Sequence, residues 1–242
     1  MKKISPLLFL LFLIFPGFLA AQETADFQKI VPLYEAKKDP GLLDWLAQHE
    51  ERGQTFSDFV SLKYPAPDAQ HPYIYIALLG DFTDEQKKVL EMASRYIAIY
   101  FQTPVKFTDP IPLSAVPAQA RRNHPQTGDP QILTTYTIEH ILKPRMPKDA
   151  FAFTAFTSSD LWPGEGWNFV FGQASMEDRI GVWSIYRNGD IKQDFRLYLR
   201  RTIQTGTHEI GHMFGLDHCI FYECNMNGSN SRLESDKRPL WD

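Results

Sequence analysis

The sequence predicts an α/β fold: a twisted mixed sheet with backing helices, a long helix carrying two histidines, and a small C-terminal subdomain. Three observations lead there. Between Tyr73 and Phe107 a strand-like run, a capped amphipathic helix and a second strand follow one another, a β-α-β start. Apolar runs at 150–157 and 181–186 supply further buried strands. Finally, 196–216 is amphipathic at the helical period, with Leu199, Ile203, Ile210 and Phe214 on one side and His208 and His212 on the other. A chain of 242 residues with 43% hydrophobic and 14% aromatic content can bury a substantial core, and it shows no internal repeat, low-complexity tract or long charge run.

The elements read in chain order as follows. Lys2 and Lys3 precede an apolar run to Leu19 that ends in Ala20 and Ala21 before Gln22. That is the pattern of a secretory signal peptide over 1–21. The run holds Pro6 and Pro16 and is short for a span of about 20 residues, so no stable membrane anchor is expected after cleavage. An exported location, periplasmic or secreted, follows. The net charge of −4 becomes more negative once both lysines leave, which gives no sign of a nucleic-acid or anionic-membrane partner. A monomer is expected. Residues 22–70 carry helical patterns at 42–49 and 56–62, broken by Asp39-Pro40-Gly41 and Pro65-Ala66-Pro67. They are expected to pack across the rest of the molecule; a propeptide is the other reading, without a cysteine to block a metal.

Tyr73 to Leu79 is strand-like, Thr83 and Gln86 form a capping box, and 84–102 follows as a helix before a strand at 105–107. The segment 109–130 is rich in proline and polar residues and reads as loop. A helix over 134–142 stops before Pro144, and 168–175 and 181–186 read as strands. His140 has no partner at metal spacing and reads as a packing or surface residue.

The chemistry concentrates in His208-Glu209-Ile210-Gly211-His212, with His218 six residues on. Residues four apart on a helix project from one face, so His208 and His212 can chelate one ion. Gly215 can adopt a left-handed conformation that ends the helix and turns the chain, bringing His218 back to the same ion. Three imidazoles leave a fourth zinc position open for water, the arrangement of catalytic zinc sites. Zinc lowers the pKa of such a water to about 7, and Glu209 stands where it can take the proton and hand it to a leaving amine. Hydrolysis of a peptide carbonyl is the expected reaction.

H-E-x-x-H-x-x-G-x-x-H with a later methionine is the metzincin metallopeptidase signature. Cys219, Cys224 and Met226 narrow the resemblance to the archaemetzincins. Asp44-Trp45-Leu46, Gln54-Thr55-Phe56, Asp160-Leu161-Trp162, 167–175 and 226–230 are also similar to segments of that family. The resemblance implies a metzincin-like zincin fold: an upper catalytic subdomain over 71–216 and a short lower one over 217–242. It implies one catalytic zinc on His208, His212 and His218, Glu209 as general base and acid, and Met226 in the turn beneath the metal. It further implies that Phe169, Val170, Phe171 and Gly172 bind an extended peptide or protein substrate on an edge strand. Ile220, Phe221 and Tyr222 would wall the pocket beneath the zinc. Trp162 and Trp167 read either as cleft flanks or as core aromatics.

The family also carries a second, structural zinc on four cysteines. Here Cys219 and Cys224 are the only two, so a closed second site is not expected. A short-loop disulfide, free thiols, or metal held with borrowed ligands remain open for them. Two other functions compete with the peptidase: a zinc-bound peptide-binding protein with little activity, and a zinc hydrolase of non-peptide amides.

Overall fold

The computed structural model describes residues 29–240. The leader read at 1–21 lies outside the described residues. A five-stranded sheet forms the centre, in the order β2 (Val105–Phe107), β1 (Tyr73–Leu79), β5 (Ala150–Thr157), β8 (Ile180–Ser184) and β7 (Gly172–Ser175). All neighbours are parallel except the edge pair β7 and β8, which is antiparallel. Every residue of β5 and β8 is buried, because helices and loops cover both faces, and the apolar runs are therefore continuous rather than alternating.

Two helices lie side by side on one face. The first, α3 (Asp84–Tyr100), starts at the expected box, in which Thr83 Oγ1 accepts from Gln86 N–H and the Gln86 side chain accepts from Thr83 N–H. The second, α4 (Phe195–Met213), presses Ile210 and Met213 against a cluster with Ile76, Val89, Ile97, Phe156 and Trp183. Phe214, just past its end, stacks on Phe101 with ring centres 4.7 Å apart. The opposite sheet face packs Ala77, Phe153, Ala155 and Val182 against Ile138, Ile141 and Leu142. The apolar back predicted for the histidine helix is thus what mounts it on the sheet.

Several expectations change in detail. The 109–130 segment is not all loop: β3 (Arg121–Asn123) and β4 (Pro130–Leu133) join β6 (Asp160–Trp162) in a second, three-stranded sheet. These strands are too short and too polar to show a period. The expected strand over 168–175 becomes regular only at Gly172, because Val170 N–H turns away to Leu161 O and bridges the second sheet. The helix over 134–142 is one α turn at Thr134–Tyr136 that widens into a π-helical stretch at Thr137–Leu142. The histidine helix ends at Met213 rather than 216, since Gly215 takes φ 89. His140 is exposed against Tyr136.

The N-terminal segment holds two short helices, α1 (Trp45–Gln48) and α2 (Phe56–Ser61). It joins the C-terminal segment more than the sheet. Ala36 bridges Tyr222 antiparallel, Glu223 N–H donates to Glu35 O, and Trp45 N–H donates to Glu234 Oε1 on α5 (Arg232–Ser235). The lower part of the molecule is therefore built from both segments.

Candidate metal centre

α4 presents His208 and His212 one turn apart, with Nε2 atoms 3.2 Å from each other. The chain then turns at Gly215, whose amide donates to His212 O at 2.9 Å. A side chain there would need the left-handed region and would run into the Tyr64 ring. Beyond the turn His218 returns, and one ligand atom from each of His208, His212 and His218 lies within 4.8 Å of the others. Met226 is buried beneath the helix: a Cβ at Gly211 would stand 2.6 Å from its sulfur. Gly211, between the two helical histidines, is the close approach that lets this floor fit.

Each imidazole is fixed through its far nitrogen. His208 Nδ1 donates to Asn225 O at 2.9 Å, His212 Nδ1 to Leu216 O at 2.6 Å, and His218 Nδ1 to the Glu51 carboxylate at 2.7 Å. With Nδ1 protonated on all three rings, Nε2 is the lone-pair atom. Two such lone pairs facing each other repel unless they share a cation. Tetrahedral zinc, with Zn–N near ~2.0–2.1 Å, sets its nitrogens ~3.3 Å apart, so the residues fit the ion. Burial, then the charges of His212 and Arg238, push His208 well below the usual histidine value. Burial and His218 push His212 down to about 4. Both are neutral at neutral pH, the form that ligates. Burial pushes the Glu209 carboxyl up to about 7, with Arg238 opposing. A carboxyl there can accept and release a proton at little cost.

A cleft of about 490 Å³ runs past Glu209 beneath the edge strand. Phe169, Val170, Phe171 and Gly172 all line it, and a Cβ at Gly172 would meet the Glu209 side chain at 3.0 Å. Three arginines hold the crossing that leads into the strand. Arg122 donates to Trp167 O and Asn168 O, Arg187 lies over the Phe169 ring and Arg232 over Phe171, each at 3.8 Å. Not all four residues offer backbone to a substrate: Val170 N–H is taken by Leu161, and Phe171 O accepts from Ser184 N–H. By the alternation of an antiparallel ladder, the groups turned to the free edge belong to Gly172 and Ala174. A second cavity of about 520 Å³, lined by Glu51, Arg52 and Met176, reaches His212 and His218 from the other side.

The walls differ from expectation. Phe221 and Tyr222 face away from the cleft, into an apolar cavity of about 380 Å³ with Tyr34, Phe59 and Met226, and Ile220 packs on Gly53. The N-terminal segment shares this cavity, with Lys37 N–H bonded to Phe221 O. Thr205, Ser229, Asn230 and Arg238 line the cleft instead, none of them indicated by motif spacing. Trp167 is a cleft residue, whereas Trp162 is half-buried under Arg122. Cys219 and Cys224 are thiols, half-buried and buried; Cys219 Sγ donates to Tyr222 O and Cys224 Sγ accepts from the Asn227 amide.

A mixed sheet with one antiparallel edge strand, a glycine-ended helix carrying two histidines, a third histidine beyond the turn and a methionine beneath them define a metzincin-type protein. Residues 145–240 match the model of peptidase family M54. The chain is 36% identical over 231 residues to archaemetzincin-2 of Macaca fascicularis, covering 81% of this chain and 64% of that protein. It is 48% identical over 82 residues to the archaemetzincin of Methanopyrus kandleri, covering 34% of this chain and 45% of that one. The crystal structure of the latter superposes with a TM-score of 0.57 at 27% identity, over 73% of this chain and 92% of that one. The Archaeoglobus fulgidus archaemetzincin complexed with malonate gives 0.54 at 27% identity, over 70% and 94%. The chain is similar to the archaemetzincins over 81% of its length. It spans 64% of the length of the first curated relatives it matches.

Proposed function

We propose that the protein is a zinc-dependent metallopeptidase that hydrolyses peptide bonds with a water activated beside Glu209. The observation that carries this reading is the convergence of three Nδ1-anchored imidazoles, each presenting Nε2, next to a carboxyl poised near neutrality under a free strand edge. His208, His212 and His218 would hold the ion, which supplies a Lewis acid and an acidified water when bound. Glu209 takes the proton from the attacking water and delivers it to the leaving amine. Gly172 and Ala174 align the substrate backbone, and the absence of a side chain at Gly172 keeps the approach to Glu209 open. Phe171, with Arg232 over its ring, would form part of the wall that a bound peptide meets.

One zinc is proposed. The apolar leader at 4–19 supports an exported protein, and no helix among the described residues is long and apolar enough to cross a membrane. N-terminal sequencing of protein recovered from the extracytoplasmic fraction checks this. A peptide library incubated with the purified protein, with and without a zinc chelator, tests the main reading. Cleavage abolished by the chelator is expected; peptide binding with no products would favour a binding protein instead.

A further inference from the structure

We infer that Glu51 is a positioning residue of the metal centre, holding His218 and therefore the third ligand in its binding orientation. The inference rests on the zinc-site reading above. His208 and His212 need no such help, since one helix face sets both. His218 stands on irregular chain beyond Gly215, where no periodic backbone fixes its ring.

What fixes it comes from more than 160 positions away. Glu51 Oε1 accepts from His218 Nδ1 at 2.7 Å and from Trp45 Nε1 at 2.8 Å. The Trp45 ring meets His218 edge-on, with centres 5.3 Å apart at 83°. Trp45 is itself locked: its backbone amide donates to Glu234, and its ring fills the space that a Cβ at Gly228 would need. Two donors thus aim one carboxylate oxygen, and that oxygen aims the imidazole.

The chemistry of the partner differs too. His208 and His212 lean on backbone carbonyls, whereas His218 leans on a carboxylate. A carboxylate behind a ligating histidine both orients the ring and strengthens its donor nitrogen. The second oxygen, Oε2, is buried with no hydrogen-bond partner. A buried carboxylate oxygen left unpaired is costly unless positive charge lies close by, and a divalent ion held by His218 would supply such charge. The segment that bears Glu51 is accordingly a permanent part of the site, since its removal as a propeptide would strip the third ligand of its support.

The test is the zinc dissociation constant of the full chain, measured by competition with a chromophoric chelator, together with the visible spectrum of the cobalt-substituted protein. Glu51→Ala is expected to weaken zinc binding by about 10–100-fold and to alter the cobalt spectrum. Glu51→Gln keeps an acceptor for Nδ1–H and should lose less, with a spectrum near that of the parent. Lys37→Ala removes only the ion pair with Glu223 in the same segment and should bind zinc as the parent does. Parental zinc affinity in Glu51→Ala, or an equal loss in Lys37→Ala, would overturn the assignment. A parent chain that binds no zinc would instead overturn the metallopeptidase reading, a result visible before any variant is made.

Discussion

The sheet with its helices and the lower wall of the cleft are held together by different forces. In β5 and β8 every residue is buried, and the two faces pack against continuous apolar clusters. From residue 29 to 70 no residue is buried. That segment is tied to 215–240 by directed polar contacts: Lys37 to Glu223, Trp45 to Glu234, Gln54 to Gly215 O and Asp217 N–H, and Glu51 to His218. Burial gives a scaffold that stands alone, while single polar contacts add only about 1 kcal/mol each. In the proposed site the upper region would carry His208, His212 and Glu209 on rigid elements, and the lower region would contribute His218, whose placement depends on the N-terminal segment.

The largest expected effect separates chemistry from assembly. Glu209→Ala should cut peptide turnover by about 10²–10⁴-fold while zinc content stays at that of the parent, because the residue lies beside the three proposed ligands and is not among them. Unchanged turnover in that variant would remove Glu209 from the reaction.

Metal removal should then split the two regions. With free zinc a thousandfold above its dissociation constant, chelation withdraws about 4 kcal/mol of stabilisation. Amide exchange should accelerate in 35–64 and 216–230 and stay slow in β5 and β8. Uniform acceleration across the sheet would show that the two regions open as one unit.

A smaller effect is expected at the joint between the regions. Gly215→Ala must adopt a left-handed conformation, at about 1–2 kcal/mol, and must also displace Tyr64. The urea midpoint should fall and zinc affinity should fall with it, since His218 follows the turn. The smallest effect belongs to Leu42→Ser: the residue is 90% exposed, and stability should stay within about 0.5 kcal/mol of the parent.

How much of this was written in the chain depends on whether a feature repeats locally. β1 and β5 fall at their predicted bounds because each is a contiguous, largely buried apolar run, and the α3 capping box is read from Thr83 and Gln86 alone. The His208 and His212 pair is legible for the same reason, as four residues make one helical turn. β3, β4 and β6 were less visible, being short and polar, and the true start of β7 depends on Val170 preferring Leu161.

The sequence by itself determined the helix that bears two histidines, the turn at Gly215 and the strands of the central sheet, because each follows from periodicity or from backbone conformations a few residues long. Only the tertiary structure decided what stands behind each imidazole, which residues wall the cleft, and that Glu51 and Trp45 reach His218. The Glu51 and Trp45 contacts join segments more than 160 residues apart, and nothing in the local pattern of either segment encodes the other's position.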